Sequence, residues 1–232
     1  MDSKSKMFDF GWMLANTYGI LILPSLASIL FLQLITPLLT PSILFNPITR
    51  FCYHASAYLF IPIHEGSHYL MCKLFNHKIR KAVFVQKTQN GISGYIEHTY
   101  DPKSIYQEIG NFFIGCAPLF CVASVAACAN WFNPWLLSNA LALNMSILDI
   151  AVLSVLGLMS IHCTPSFSDL KHTLNGAISI SIVTSIIILA LDISSPPALW
   201  ITTAKLMIVI FVFGYLNLIT LFVLSKLLKF PH

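Results

Sequence analysis

The sequence predicts an all-α polytopic membrane protein of about six transmembrane helices, with a small cytoplasmic β-hairpin after the second. Two observations carry that prediction. Of 232 residues, 56% are hydrophobic and 9% charged, against roughly 25% charged in soluble domains, and mean hydropathy is +0.77. The apolar residues also gather into windows of about 20, the length that crosses a bilayer as a helix. The net charge of +4 is small, and its basic residues collect at window edges. That excludes a nucleic-acid-binding surface and leaves the lipid bilayer as the surrounding partner. The whole of 1–232 forms one integral-membrane domain, with a core over about 54–172.

The first window, 12–37, follows a basic start at Lys4 and Lys6 and is longer than a signal-peptide core, so it is a retained span. The second covers 54–75. After it, 76–110 is a soluble insertion in which "KAVFVQKTQNGISGYIEHTYD" holds two strand-like runs around Gln89-Asn90-Gly91, and Asn-Gly is a hairpin-turn signal. The third window is 111–132. The fourth, 140–162, is interrupted early by Asn144 and Asp149. The fifth is 174–192, and the sixth, 199–228, is long enough to tilt.

Basic residues orient these spans. Lys73, Lys78, Arg80, Lys81, Lys87 and Lys103 follow the second span, Lys171 follows the fourth, and Lys226 and Lys229 close the chain. The opposite loops hold Arg50. All the basic clusters share one side when both termini are cytoplasmic. The compact size and basic inner loops fit a bacterial or archaeal cytoplasmic membrane. Six cysteines without a CxxC pair argue against a disulfide framework. Cys116, Cys121 and Cys128 behave as small hydrophobes in one span, while Cys52 is placed to pair between chains.

The second span carries "HEGSH", residues 64 to 68. Positions i and i+4 share a helix face, so the imidazoles of His64 and His68 can reach one metal ion. Glu65 stands beside the first ligand, where it can take a proton from water whose pKa zinc lowers to about 7. With eight His and three Glu in the chain, chance supplies roughly 0.003 such motifs. A pair of histidines merely bonding to neighbouring helices would leave Glu65 a buried acid without a role. A catalytic zinc takes three protein ligands and one open position. The third ligand comes from Asp149, His162, Asp169 or His172. "SIHCTPSFSDLKH" brings Asp169 and His162 to the depth of His68, Asp149 lies nearer the opposite face, and Pro165 breaks the helix so that Asp169 can turn inward. His54, His77 and His98 belong to interfaces or the hairpin. A di-iron oxygenase would need further histidine pairs such as HxxHH, which the sequence lacks.

On three features in order, "HEGSH", "GNFFIGCAPLF" and "TPSFSDLK", the chain resembles the site-2-protease family of intramembrane zinc metalloproteases. The resemblance covers about residues 54 to 172. It implies one zinc per chain held by His64, His68 and Asp169, with His162 in reserve and Glu65 as general base. It also implies that Asn111 and Pro118 lie beside the substrate path, and that the hairpin presents substrate as an extended strand. Leu170 stands where the family has Gly after the ligand Asp. The substrate would be a membrane-embedded protein whose helix unwinds locally, since a helix pairs all its own backbone groups. Its extended stretch could pair with a hairpin edge at 81–87 or 92–99. The alternative is a non-catalytic zinc-binding membrane protein, or a pseudoprotease acting in binding or transport; an intact Glu65 argues against it, because binding needs no general base.

Overall fold

A computed structural model describes Trp12 and residues 23–88, 91–190 and 198–228. These residues are mostly helical, with one two-stranded antiparallel sheet. Helix α1 spans Leu23–Phe45. The expected first window of 12–37 is therefore shifted: apart from Trp12, its start lies outside the described residues, and the helix runs on through Pro37 and Pro41. Each proline withdraws an N–H from the carbonyl four residues earlier. Both prolines border a cavity, where such irregular backbone is tolerated.

Helix α2, Pro47–Leu74, starts well before the expected residue 54. Asn46 is the reason. Its side chain accepts from the backbone N–H groups of Ile48 (3.0 Å) and Thr49 (3.3 Å), and Pro47 supplies a preset first position. Strands β1, Lys78–Thr88, and β2, Gly91–Thr99, follow. Gln89 and Asn90 of the expected turn lie outside the described residues. Val83 pairs with Tyr95 and Gln86 with Ser93, so Phe84 and Val85 together face the single Gly94 in a bulge.

The hairpin of the 76–110 insertion forms as expected and is laid back along α2. The Phe84 ring meets Tyr69 at 5.6 Å, the Gly94 backbone lies against Glu65, and Lys87, Thr88 and Gly91 share a cavity with Arg50 and His54. Ala82 and Val83 are half-buried, while Phe84 and Val85 in the bulge stay exposed, Phe84 meeting α2 through the Tyr69 ring.

The third window is a broken pair, α3 over Ile105–Gly115 and α4 over Ala117–Phe132, bent by 61°. Ser104 caps α3, so the insertion ends earlier than the expected 110. The fourth window is also trimmed. A short α5, Leu136–Leu141, precedes α6, Ile147–His162, with Leu143 left-handed at φ 55 between them. Ser146 and Asp149 form the capping box that starts α6. The Asp149 carboxylate also accepts from Asn133 (2.7 Å) and Asn139 (3.1 Å). Helix α7, Phe167–Ala190, turns 81° from α6 across the break that contains Pro165, and α8 covers Ala198–Leu227.

Among the described residues, two helices are long and apolar enough to cross a membrane, α1 over Ala27–Phe45 and α8 over Ile201–Leu227, and the two bent pairs raise the number to four if each is one span. The fold is thus that of an integral membrane protein, with two to four such candidates where six windows are expected. Helix α2 has the length, but Arg50, His64, Glu65 and His68 lower its hydropathy. The six cysteines are free.

Helix α8 packs against α1 and α6, and its Leu206, Ile210, Phe211 and Leu218 are fully buried. It approaches α6 at two glycines: a Cβ on Gly157 would stand 2.7 Å from the Gly214 backbone nitrogen. Small residues at such crossings let backbones come together and gain dispersion contacts that lipid cannot supply. Gly157→Leu should therefore push α6 from α8 and destabilise the protein by about 1–3 kcal/mol, seen as a lower unfolding midpoint in detergent. An unchanged midpoint would refute this packing.

Candidate metal centre

His64, Glu65 and His68 lie in the C-terminal half of α2, all three buried. The Nε2 atoms of His64 and His68 are 3.1 Å apart. Asp169, in the first turn of α7, completes the group: its carboxylate oxygens stand 3.7 Å from His64 Nε2 and 3.4 Å from His68 Nε2. One ligand atom from each residue falls within 4.8 Å of the others, so the three could hold a metal ion. Tetrahedral bonds of about 2.0–2.1 Å would set donor atoms roughly 3.4 Å apart, close to the mean of these separations.

Each donor is aimed by a partner. His68 Nδ1–H donates to the Ile114 carbonyl at 2.7 Å, which fixes the tautomer and leaves the Nε2 lone pair facing the cavity. That carbonyl is available because the residue four positions later is Pro118, which has no N–H to offer it. Pro118 is buried in the first turn of α4 and does not line the cavity. It therefore supports a ligand's partner, where the sequence reading places it beside substrate.

Asp169 is held by the cap of α7. Ser166 donates its backbone N–H (2.6 Å) and hydroxyl (2.7 Å) to Asp169 Oδ2, and the Asp169 N–H returns a bond to Ser166 Oγ at 3.2 Å. The helix cap and the donor group thus use the same carboxylate. Gly115 lets α3 come this close to α7, since a Cβ there would overlap the Asp169 carbonyl oxygen and the Thr173 hydroxyl.

The cavity beside the donor group is about 330 Å³. Glu65 is in its wall, against the bulge of the hairpin: a Cβ on Gly94 would stand 2.5 Å from Glu65 Cγ. Gly94, Tyr95 and Ile96 of β2 form one side of the cavity, and His98 and His172 form another. His162, the reserve ligand, is turned away, with Nε2 2.9 Å from Ser56 Oγ and its ring edge-on to Tyr53. Asn111 is fully buried, its amide has no hydrogen-bond partner among the described residues, and it does not line the cavity.

His98 is the residue that sequence reasoning missed. His77 Nε2–H donates to the Gln107 carbonyl at 2.8 Å, so its Nδ1 must accept from His98 Nδ1–H at 3.1 Å. That chain holds the His98 ring in the cavity wall, 5.0 Å from the His172 ring. The only sequence signal was its place near the hairpin's end, which says nothing until the hairpin is known to fold back on α2.

Searches against family models, curated proteins and solved structures find no match.

Burial, reinforced by the imidazoles of His172 and His77, pushes the His98 imidazolium down to about 4 from the usual 6.5. The unfolded chain takes this proton near 6.5 and the folded chain only near 4. The His98 contribution to stability is thus whole above 6.5 and declines as pH falls between those values. The unfolding midpoint in detergent should drop across that window, and drop less in His98→Asn. Equal slopes in both proteins would contradict the buried neutral ring.

Proposed function

We propose that the protein is an intramembrane zinc metallopeptidase that hydrolyses peptide bonds of membrane-embedded proteins. The observation that carries this reading is the joint placement of His64, His68 and Asp169 around one point, with Glu65 in the wall of the same cavity. Two imidazole nitrogens and a carboxylate suit zinc with an open position, and the Ile114 bond to His68 is the outer support that such ligands have. One zinc per chain would be held by His64, His68 and Asp169. When bound, zinc polarises a carbonyl and lowers the pKa of water toward 7.

The chain's own residues supply the remaining steps. Glu65 takes a proton from the attacking water on a carboxylate oxygen and delivers it to the departing amine nitrogen. Ser166 and Ile114 keep Asp169 and His68 from rotating as charge moves between them. β2 pairs with β1 on one edge, and residues from it line the cavity, so an unwound substrate segment can add alongside it as a strand. For the membrane arrangement we infer six crossings with both termini cytoplasmic, the hairpin being rooted at the cytoplasmic end of α2.

Metal analysis of the detergent-purified protein tests the ligand set. The wild type should carry about one zinc per chain, and His68→Ala and Asp169→Ala should each lose it; zinc retained by Asp169→Ala would remove that residue from the set. Pro118→Ala restores an N–H that competes for the Ile114 carbonyl, and zinc affinity should fall about 10-fold or more. Glu65→Gln should keep its zinc while cleavage of a membrane-embedded reporter falls about 100-fold or more. Undiminished cleavage by Glu65→Gln would overturn the peptidase mechanism.

A further inference from the structure

A second cavity, about 1000 Å³, lies away from the metal centre, between α1, the start of α2 and the ends of the hairpin strands at Thr88 and Gly91. It shares no lining residue with the metal-centre cavity. Arg50 and His54 of α2 enter it from one side and Lys87 of β1 from another, while Pro37, Pro41 and Leu44 of α1 make an apolar wall. Its described lining contains no Asp or Glu. By sequence Lys87 belongs with the basic cluster that follows α2. The fold carries it back along α2 to join Arg50, so like charges gather at the far end of the helix.

Both cations are exposed, and the described lining offers them no acidic partner. The positive charges of Arg50 and Lys87 both act on His54, which lines the same cavity. Convergent cations without an acid are the recognition chemistry of a phosphate: Arg binds it through its planar fork and Lys as a point charge. The surroundings show where the phosphate comes from. Phe45, Ile48 and Phe51 are exposed around the α1–α2 junction, the kind of apolar and aromatic edge that sits where a membrane meets water. The apolar wall continues from the basic end along α1, which suits an acyl chain below a headgroup.

We propose that this cavity binds an anionic phospholipid, its phosphate held by Arg50 and Lys87 and its acyl chain lying along Pro37, Pro41 and Leu44. The site is independent of the peptidase reading, because it uses none of the metal-centre residues. Lipid bound there would also fasten the end of β1 to the start of α2, since Lys87 and Arg50 would share one phosphate.

The test is native mass spectrometry of the full chain released from phosphatidylcholine nanodiscs containing a minor fraction of phosphatidylglycerol. The wild type should retain phosphatidylglycerol in preference to phosphatidylcholine. The Arg50→Gln/Lys87→Gln variant should lose that retention by about tenfold or more, while Arg80→Gln/Lys103→Gln, which removes two exposed charges elsewhere, should keep it. Circular dichroism and zinc content matching the wild type establish that each variant is folded. Equal losses in both double variants would reduce the effect to general surface charge and overturn the proposal. Displacement of the lipid by inorganic phosphate alone would assign the site to a free anion. Absence of any phosphatidylglycerol preference in the wild type would also overturn the lipid assignment.

Discussion

Three ionisable side chains meet inside an apolar helical bundle, and the cost of holding them there governs the architecture around them. A charged or strongly polar group in a low-dielectric interior is expensive unless its remaining atoms are satisfied. His68 and Asp169 are tied to an Ile114 carbonyl and to Ser166. Both ties depend on a helix that is interrupted. α3 and α4 part at Cys116, with Pro118 just beyond, and the Ile114 carbonyl looks to a side chain for its bond. α6 stops at His162, and the fresh start of α7 at Phe167 exposes the cap that Asp169 closes. The two helix breaks, one inside the third hydropathy window and one between the fourth and fifth, are the places where backbone groups become free to organise polar side chains.

The sequence displays the centre of this arrangement more clearly than its surroundings. The i, i+4 spacing of His64 and His68 is a local property of one helix, so it can be read without knowing any tertiary contact. Pro165 likewise signals locally that α6 must end. Choosing Asp169 over His162 is different: both lie near one depth along the chain, and only the direction taken after the break separates them. His162 remains on α6 and faces Ser56, whereas Asp169 is carried by α7 across the bend.

The hairpin shows the same division. Its strands are legible from apolar residues flanking an Asn-Gly pair, and the strands lie where that pattern puts them. Its packing is not legible, because the faces that decide it belong to α2 as much as to the hairpin. Gly94 illustrates the gap. As a sequence feature it is an ordinary glycine in a strand; in the fold it is the point where backbone passes over Glu65 and where any side chain would collide. Asn111 and Pro118 are suggested by resemblance alone, and neither lines the metal-centre cavity. Pro118 acts through a missing N–H, an effect that no side-chain motif records.

The 81° bend between α6 and α7 couples two quantities that a straight helix would leave separate. Asp169 stands in the first turn of α7, while the two histidines belong to α2. The direction in which α7 leaves the bend and the distance from carboxylate to imidazoles are therefore one geometric variable. A swing of α7 that widened the cavity would also draw Asp169 from its partners, so an open entrance and an assembled donor group are competing states of the same hinge.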